Sequence, residues 1–356
     1  MTMIQNRRAF LTTAAAAGVC AASAALAALD PINPDIKFGT TGSIFGAWSG
    51  AQGAMKMSTN MKMMLEDCKH YGLEGFEPYS GQVVQYLGNP GALKKLSQET
   101  GVAIACVGDL PRRPGNAPAA RAGAPDYPWL GGEGRAKLVA DMEEVARDFL
   151  QPLSIDHWKN NMGARPPEGP SDDQLKRLAD VANEIGRRTM KYGVRLSLHP
   201  HIWGPMEREH EFRRVMELTD PRYVFLIMDT GHNVLGGMDV VKITAEFLPR
   251  IAEFHLKDTF PQYRGNKATP TREQHSKKSV YASVGQGKGV DFPGIFKVMR
   301  DRKWKGWAVF DIDAPRPDDG TGTVDDNIAA SVNYLRTALG VKLPPANGKT
   351  GLFKEG

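Results

Sequence analysis

Between residues 36 and 339 the chain alternates short apolar runs with longer amphipathic stretches, and it does so eight times. That order constrains the fold strongly, because parallel strands need a crossover between them and a helix is the usual way to return to the same edge. The predicted strands are 36–40, 75–78, 102–107, 152–157, 194–199, 224–229, 251–257 and 307–311. The predicted helices are 60–71, 91–100, 135–150, 171–192, 206–218, 238–248, 292–301 and 325–339. Ser171, followed by Asp172 and Asp173, opens one helix with an N-cap and acidic first turn, and Gly193 closes it. The prediction is an α/β chain forming a single (β/α)8 TIM barrel over residues 30–342, with a tail at 343–356 that has no periodicity. Two insertions, 111–134 and 259–289, follow strand ends and are expected to stand over the active-site face as lids or substrate loops.

The first 29 residues do not belong to that rhythm. Asn6-Arg7-Arg8-Ala9-Phe10-Leu11 precedes an alanine-rich run, with small residues suited to cleavage around Ala25-Leu26-Ala27. This reads as a twin-arginine signal peptide, and the expectation is an exported, periplasmic protein. Alanine is only mildly apolar and no stop-transfer flank follows, so no stable membrane anchor is expected. Export of an already folded chain would let it acquire its metal before meeting the copper and zinc outside, which win on raw affinity. The net charge of +5 is scattered in short clusters with acidic neighbours, which suits a solvated surface and argues against a nucleic-acid partner. Behind the leader only Cys68 and Cys106 remain, too few for a disulfide scaffold and without the spacing of a zinc site. Oligomeric state is left open.

Chemistry is signalled by position. Glu77, Asp109, His157, His199 with His201, Asp229, His255, and Asp311 with Asp313 lie where predicted strands end. A strand buried on both faces has no cheap way to hide a carboxylate or imidazole, so a shared site is the economical explanation. The fifth to eighth strands each deliver one such group to the same face, and that ligand chemistry suits one divalent metal ion: Mn, Zn, Co or Mg. Trp158 beside His157 and Trp203 after His201 could present aromatic faces to a sugar, or simply pack.

These residues sit in phrases that resemble the xylose isomerase-like, sugar phosphate isomerase/epimerase superfamily. The phrases are Tyr71-Gly-Leu-Glu-Gly-Phe-Glu77, Met228-Asp-Thr-Gly-His232, Phe254-His-Leu-Lys-Asp258, Val284-Gly-Gln-Gly287 and Gly306-Trp-Ala-Val-Phe-Asp-Ile-Asp313. The resemblance implies metal ligands at His199, Asp229, His255 and Asp311, where relatives have Glu, Asp, His and Glu. Two of the four match, and an imidazole and a shorter carboxylate replace the glutamates that act as paired acid and base in the family's epimerases. Asp311 is then the first candidate for the base, followed by His201 and Glu77. His232, Lys257, His157, Trp203 and Asp313 are candidate substrate contacts. Asp258 is a candidate anchor for the loop behind it.

The implied activity is metal-dependent isomerisation or epimerisation of a free or oxidised small-molecule sugar by enolisation next to a carbonyl. A keto-sugar lyase or hydratase is the variant that shares the first step. Two further readings are a non-catalytic sugar-binding barrel and an abasic-site endonuclease, which would need extra histidines ending strands two and three; Glu77 and Asp109 stand there instead.

Overall fold

A computed structural model describes residues 35–49, 54–109, 128–130, 134–316 and 322–344. The predicted leader, most of the 111–134 insertion and most of the predicted tail lie outside the described residues. Eight parallel strands are present: β1 (Ile36–Thr41), β2 (Gly75–Glu77), β3 (Ala103–Ile104), β4 (His157–Asn160), β5 (Arg195–Leu198), β6 (Val224–Asp229), β7 (Ile251–Leu256) and β8 (Gly306–Phe310). They pair in the order β3-β2-β1-β8-β7-β6-β5-β4. The seam between β3 and β4 is bridged just beyond β3, where Gly108 pairs with both Tyr79 and Lys159 and the Asp109 N–H donates to the Lys159 carbonyl at 2.9 Å. The fold is the TIM barrel that the alternation predicts.

The main helices follow the strands: α1 (Met61–His70), α2 (Pro90–Thr100), α3 (Arg135–Val145), α4 (Asp172–Thr189), α5 (Glu209–Leu218), α6 (Val240–Phe247), α7 (Phe292–Asp301) and α8 (Val324–Leu339). Side-chain N-caps set where several begin. Ser171 and Gln174 form a reciprocal capping box on α4, and Gly193 takes the left-handed conformation at φ 75 after the 3-10 turn that ends it. Leu175, Leu178, Val181, Ala182 and Ile185 supply the buried stripe of α4, at the spacing of one helix face. No helix among the described residues is long and apolar enough to cross a membrane.

The fourth strand differs from the expectation. The apolar residues Leu153 and Ile155 look like the start of a strand, but they belong to a turn leaving the π-helical end of α3, with Ser154 at φ 61 and the Ile155 N–H bonded to the Leu150 carbonyl. Strand β4 therefore begins at His157 instead of ending there. A small antiparallel hairpin, Gly46–Ser49 with Ala54–Met57, follows β1, and the loop after β7 carries a short helix, Arg272–Lys277. Neither was expected from the periodicity.

Candidate active site

Strands β5 to β8 bring their terminal polar residues to one point. The ligand atoms of His199, Asp229, His232 and Asp311 all lie within 4.8 Å of one another, and all four residues are buried. His199 Nε2 is 3.5 Å from Asp229 Oδ2, and His232 Nε2 is 4.0 Å from the same oxygen. His255 Nδ1 borders the same space, 3.9 Å from Asp229 Oδ2 and 3.3 Å from Asp311 Oδ2. The four ligands expected from the sequence thus converge. His232, expected on the substrate side, stands with them.

Two orphaned atoms mark what the space is suited to. His199 Nε2 and Asp229 Oδ2 are buried and make no hydrogen bond, although they face each other. Each residue's other polar atom is engaged: His199 Nδ1 meets Asn161 Oδ1 at 2.8 Å, and Asp229 Oδ1 accepts the His232 N–H at 2.7 Å. Burying such atoms unpaired is costly, and a nitrogen lone pair beside a carboxylate oxygen is a donor set for a cation. Burial, reinforced by the Asp311 charge and only partly offset by Lys257 and His255, pushes the Asp229 carboxyl up to about 8. The residues present fit a divalent metal.

His255 continues this site downward. Its Nε2 lies 2.8 Å from Glu77 Oε2 and 3.4 Å from Glu253 Oε1, so Glu77 fixes the ring from below instead of facing the pocket. Glu253, two residues before His255 and hence on the same strand face, was missed in the sequence reading. Its Oε2 is 2.5 Å from His157 Nε2; His157 Nδ1 is 2.6 Å from Asp156 Oδ1, and Asp156 Oδ2 accepts from Arg195 at 2.7 Å. An alternation of carboxylate and imidazole thus runs through the barrel from the metal-ligand face to the opposite face. His157 is part of it, so the expectation that it lines the sugar pocket is corrected. Burial disfavours the charged form of each member. Even so, the Asp156 and Glu253 carboxylates, with the Cys106 sulfur, hold His157 well above the usual imidazole range, and His157 and His255 hold Glu253 down at about 2. Burial pushes Glu77 up to about 7. Of the two readings open for Trp158, the structure has core packing: it is fully buried, with its indole N–H donating to the Asp109 carbonyl.

Asp311 is crowded. Its Oδ1 accepts from Thr41 at 3.1 Å, Ser43 at 3.2 Å and Tyr79 at 3.4 Å, while Lys257 Nζ is 3.6 Å from Oδ2. Burial would raise its pKa, but the Lys257 and His255 charges hold it well below the ordinary carboxylate range. Lys257 reaches the site because it stands two residues beyond His255, at the end of β7, and so continues the same inward face. Its Nζ donates to Asp313 Oδ1 at 3.1 Å and lies 4.3 Å from the centre of the Tyr281 ring. His275, on the helix of the seventh loop, has Nε2 3.8 Å from Asp313 Oδ2.

His201 has a different character. Its Nδ1 contacts the Ile202 carbonyl, which assigns the proton to Nδ1 and leaves Nε2 with a lone pair. Burial lowers its pKa to about 4, so the ring is neutral at neutral pH. His201, His199, Asn161, Trp203 and Arg272 are among the residues that line a cavity of about 170 Å³. Trp203 is held there by its indole N–H on the Pro270 carbonyl at 2.7 Å, with the Arg272 guanidinium 4.6 Å from its ring centre.

A second buried lysine, Lys159 on β4, was also missed. It shares a strand face with His157, two residues nearer the site. Its Nζ lies 4.6 Å from the centre of the Tyr79 ring and 3.8 Å from Asp109 Oδ2.

Residues 65–338 match the family model described as Xylose isomerase-like TIM barrel. The chain belongs to this family. Among curated relatives, an inosose dehydratase of Clostridium perfringens is 29% identical over 143 residues, which covers 38% of this chain and 46% of that protein. The inosose dehydratase of Bacillus velezensis is 28% identical over 181 residues, 49% of this chain and 58% of that protein. The matched region spans only about half the length of these relatives. Among solved structures, the IolI protein with a bound zinc atom superposes with a TM-score of 0.61 at 14% identity, covering 84% of this chain and 96% of that one. The likeness to that structure shows the fold alone.

Proposed function

We propose that this member of the xylose isomerase-like family is a metal-dependent enzyme that enolises a carbonyl-bearing sugar. The observation that carries the reading is the facing pair of buried atoms without a hydrogen bond, His199 Nε2 and Asp229 Oδ2, with the neutral His201 lining the same cavity as His199. His199, Asp229, His255 and Asp311 would hold the ion, with His232 adjacent; imidazole and carboxylate ligands together suit Mn, Zn or Co better than an all-oxygen Mg shell. A divalent cation there supplies the positive charge that makes a hydrogen beside a carbonyl acidic. His201 Nε2 takes that proton, and the Ile202 carbonyl steadies the imidazolium that forms. Lys257 and Asp313 meet substrate oxygens, and Trp203 offers its ring to a C–H face.

Isomerisation or epimerisation of a free or oxidised sugar completes the reaction if the proton is returned to carbon. One observation favours a second outcome, in which the enolised sugar loses water or a glycosidic group. A two-base epimerisation needs a second free base, and Asp311, the carboxylate expected to supply one, is engaged by donors and held strongly ionised. The inosose dehydratase relatives support a dehydrating outcome as well. The twin-arginine pattern at Arg7-Arg8 is the support for an exported location, where unphosphorylated sugars are the accessible class.

The test is incubation in deuterated water with a panel of free and 3-keto sugars, following deuterium at carbon by NMR. Exchange at a single carbon beside the carbonyl, abolished by a chelator and restored by Mn or Zn, is the expected result. Absence of exchange with every member of the panel overturns the reading.

A further inference from the structure

Lys159 is 1% exposed, and among the described residues its ammonium has no acceptor within hydrogen-bond distance. The nearest carboxylate oxygen, on Asp109, lies 3.8 Å away. That carboxylate is already engaged, with Oδ1 taking the Asn161 N–H at 2.8 Å and Oδ2 its side-chain amide at 3.1 Å. Lys257, the other buried lysine of the site, is by contrast bonded to Asp313. An ammonium buried with an ion pair at 3.8 Å and an aromatic face, but no hydrogen-bond acceptor among the described residues, is an expensive arrangement unless something else completes it.

Its surroundings say where that something lies. Lys159 points inward from β4 on the same face as His157, one step nearer the metal-ligand end, with the Tyr79 ring on one side. Tyr79, whose ring it faces, donates its hydroxyl to Asp311, and Asn161, which donates to the neighbouring Asp109, also holds His199 Nδ1, so Lys159 stands one shared neighbour from two of the proposed ligands. Asp109 and the other carboxylates nearby overcome the effect of burial and keep the amine protonated. The site therefore contains an imidazole whose Nδ1 is engaged and whose Nε2 keeps a lone pair, together with a buried ammonium that makes no hydrogen bond among the described residues.

We infer that Lys159 is the acid that protonates the departing oxygen in a β-elimination, which makes the substrate a ketone sugar bearing a hydroxyl or glycosidic oxygen on the carbon next but one to the carbonyl carbon. This rests on the enolisation proposed above. The C–H bond beside the carbonyl breaks, its proton going to His201 and its electron pair into the enolate. The enolate re-forms the carbonyl, its electrons make the new C=C bond, and the C–O bond beyond it breaks. The leaving oxygen takes that bond's electron pair and a proton from Lys159 Nζ. The products are an α,β-unsaturated ketone and water or an alcohol. Nothing is oxidised or reduced overall, and the two side chains return to their starting states by exchanging one proton through solvent.

The experiment compares two 3-keto-β-glucosides that differ in leaving group, one releasing methanol and one releasing 4-nitrophenol. Poor leaving groups need the acid; 4-nitrophenolate departs without it. In Lys159→Met, which keeps an unbranched side chain over Tyr79, methanol release is expected to fall about 100-fold or more while 4-nitrophenol release falls less than about five-fold. Lys159→Arg keeps the charge and the donors but cannot release a proton at neutral pH, so it shows the same split and covers the case in which the Met variant does not fold. An equal fall for both substrates in the variants overturns the assignment, because a binding or structural role moves both together. Wild-type protein that exchanges the hydrogen at C2 for deuterium yet releases neither alcohol also overturns it, while leaving the enolisation reading intact. Failure of that exchange refutes the enolisation reading and this assignment with it.

Discussion

Asp229 carries the metal site more directly than any other residue, because its buried Oδ2 has no use in the protein alone. Asp229→Ala should abolish metal retention through gel filtration, as read by elemental analysis, while the circular dichroism spectrum stays that of a folded barrel; stoichiometric metal in the variant would rule out the ligand set. His201 makes a separate prediction. Its pKa is near 4 folded and 6.5 unfolded, so between those values the unfolded chain binds more protons. Its contribution is therefore fully present above pH 6.5 and lost as pH falls towards 4, about 3 kcal/mol in all. His201→Asn should flatten that part of the acid limb in urea titrations of metal-free protein and slow deuterium exchange by about 10²- to 10⁴-fold with metal still bound. An unchanged exchange rate would remove His201 as the base. The ligand residues were legible because each is a polar group where a buried strand stops. Lys159 and Glu253 were not: a strand placed at 152–157 hid the first beyond its end, and the second lies inside a strand where only an apolar residue was looked for.

At the scale of elements, the seventh loop shows how a single side chain organises thirty residues of irregular chain. Asp258 accepts backbone N–H groups from Thr259 and Val290 at Oδ1 and from Gly287 and Lys288 at Oδ2, with Gly289 at 3.2 Å, tying the two ends of the loop together. The Val284-Gly-Gln-Gly287 phrase is thereby explained: a Cβ at Gly287 would sit 2.1 Å from the Thr259 carbonyl oxygen, so the close approach excludes any side chain. The loop's helix then delivers His275 towards Asp313 and Arg272 onto Trp203. Asp258→Ala leaves four N–H donors without an acceptor, Gly289 keeping its bond to the Thr259 carbonyl, at about 1.5–3 kcal/mol for each well-formed charged bond before relaxation and water entry reduce the sum. The expected outcome is a fall in Tm, faster proteolysis within 259–289 and a raised KM; a protease pattern identical to wild type would show that the loop does not depend on this clamp. The anchor itself was readable from Asp258 following His-Leu-Lys. The short helix was not, because six residues carry too little periodicity to register.

The whole barrel is filled unusually. Its axis holds a line of ionisable groups, from Asp311 and His255 through Glu77 and Glu253 to His157 and Asp156, where apolar layers would be the ordinary filling. Such a line costs desolvation at each member and is tolerable only while every charge has its opposite. Glu253 is the critical link, since it alone touches both imidazoles. Glu253→Gln keeps the volume but leaves His157 with one counter-charge, on the far side, and should destabilise the metal-saturated protein by about 3–5 kcal/mol in urea unfolding. Adding His157→Gln should recover part of that loss, because the stranded charge is gone; strict additivity would mean the two are not coupled. The pH dependence gives an independent check. Glu253 is held near 2 against 4.5 unfolded, so its contribution is complete above pH 4.5 and disappears as pH falls towards 2. His157 works with the opposite sign: raised when folded, it stabilises fully below 6.5 and loses that effect as pH climbs through its elevated value. Both contributions are complete between 4.5 and 6.5, and Glu253→Gln should lower that plateau while removing the steepest part of the acid limb. An acid limb unchanged in Glu253→Gln would mean that the barrel's charged axis contributes nothing to its stability.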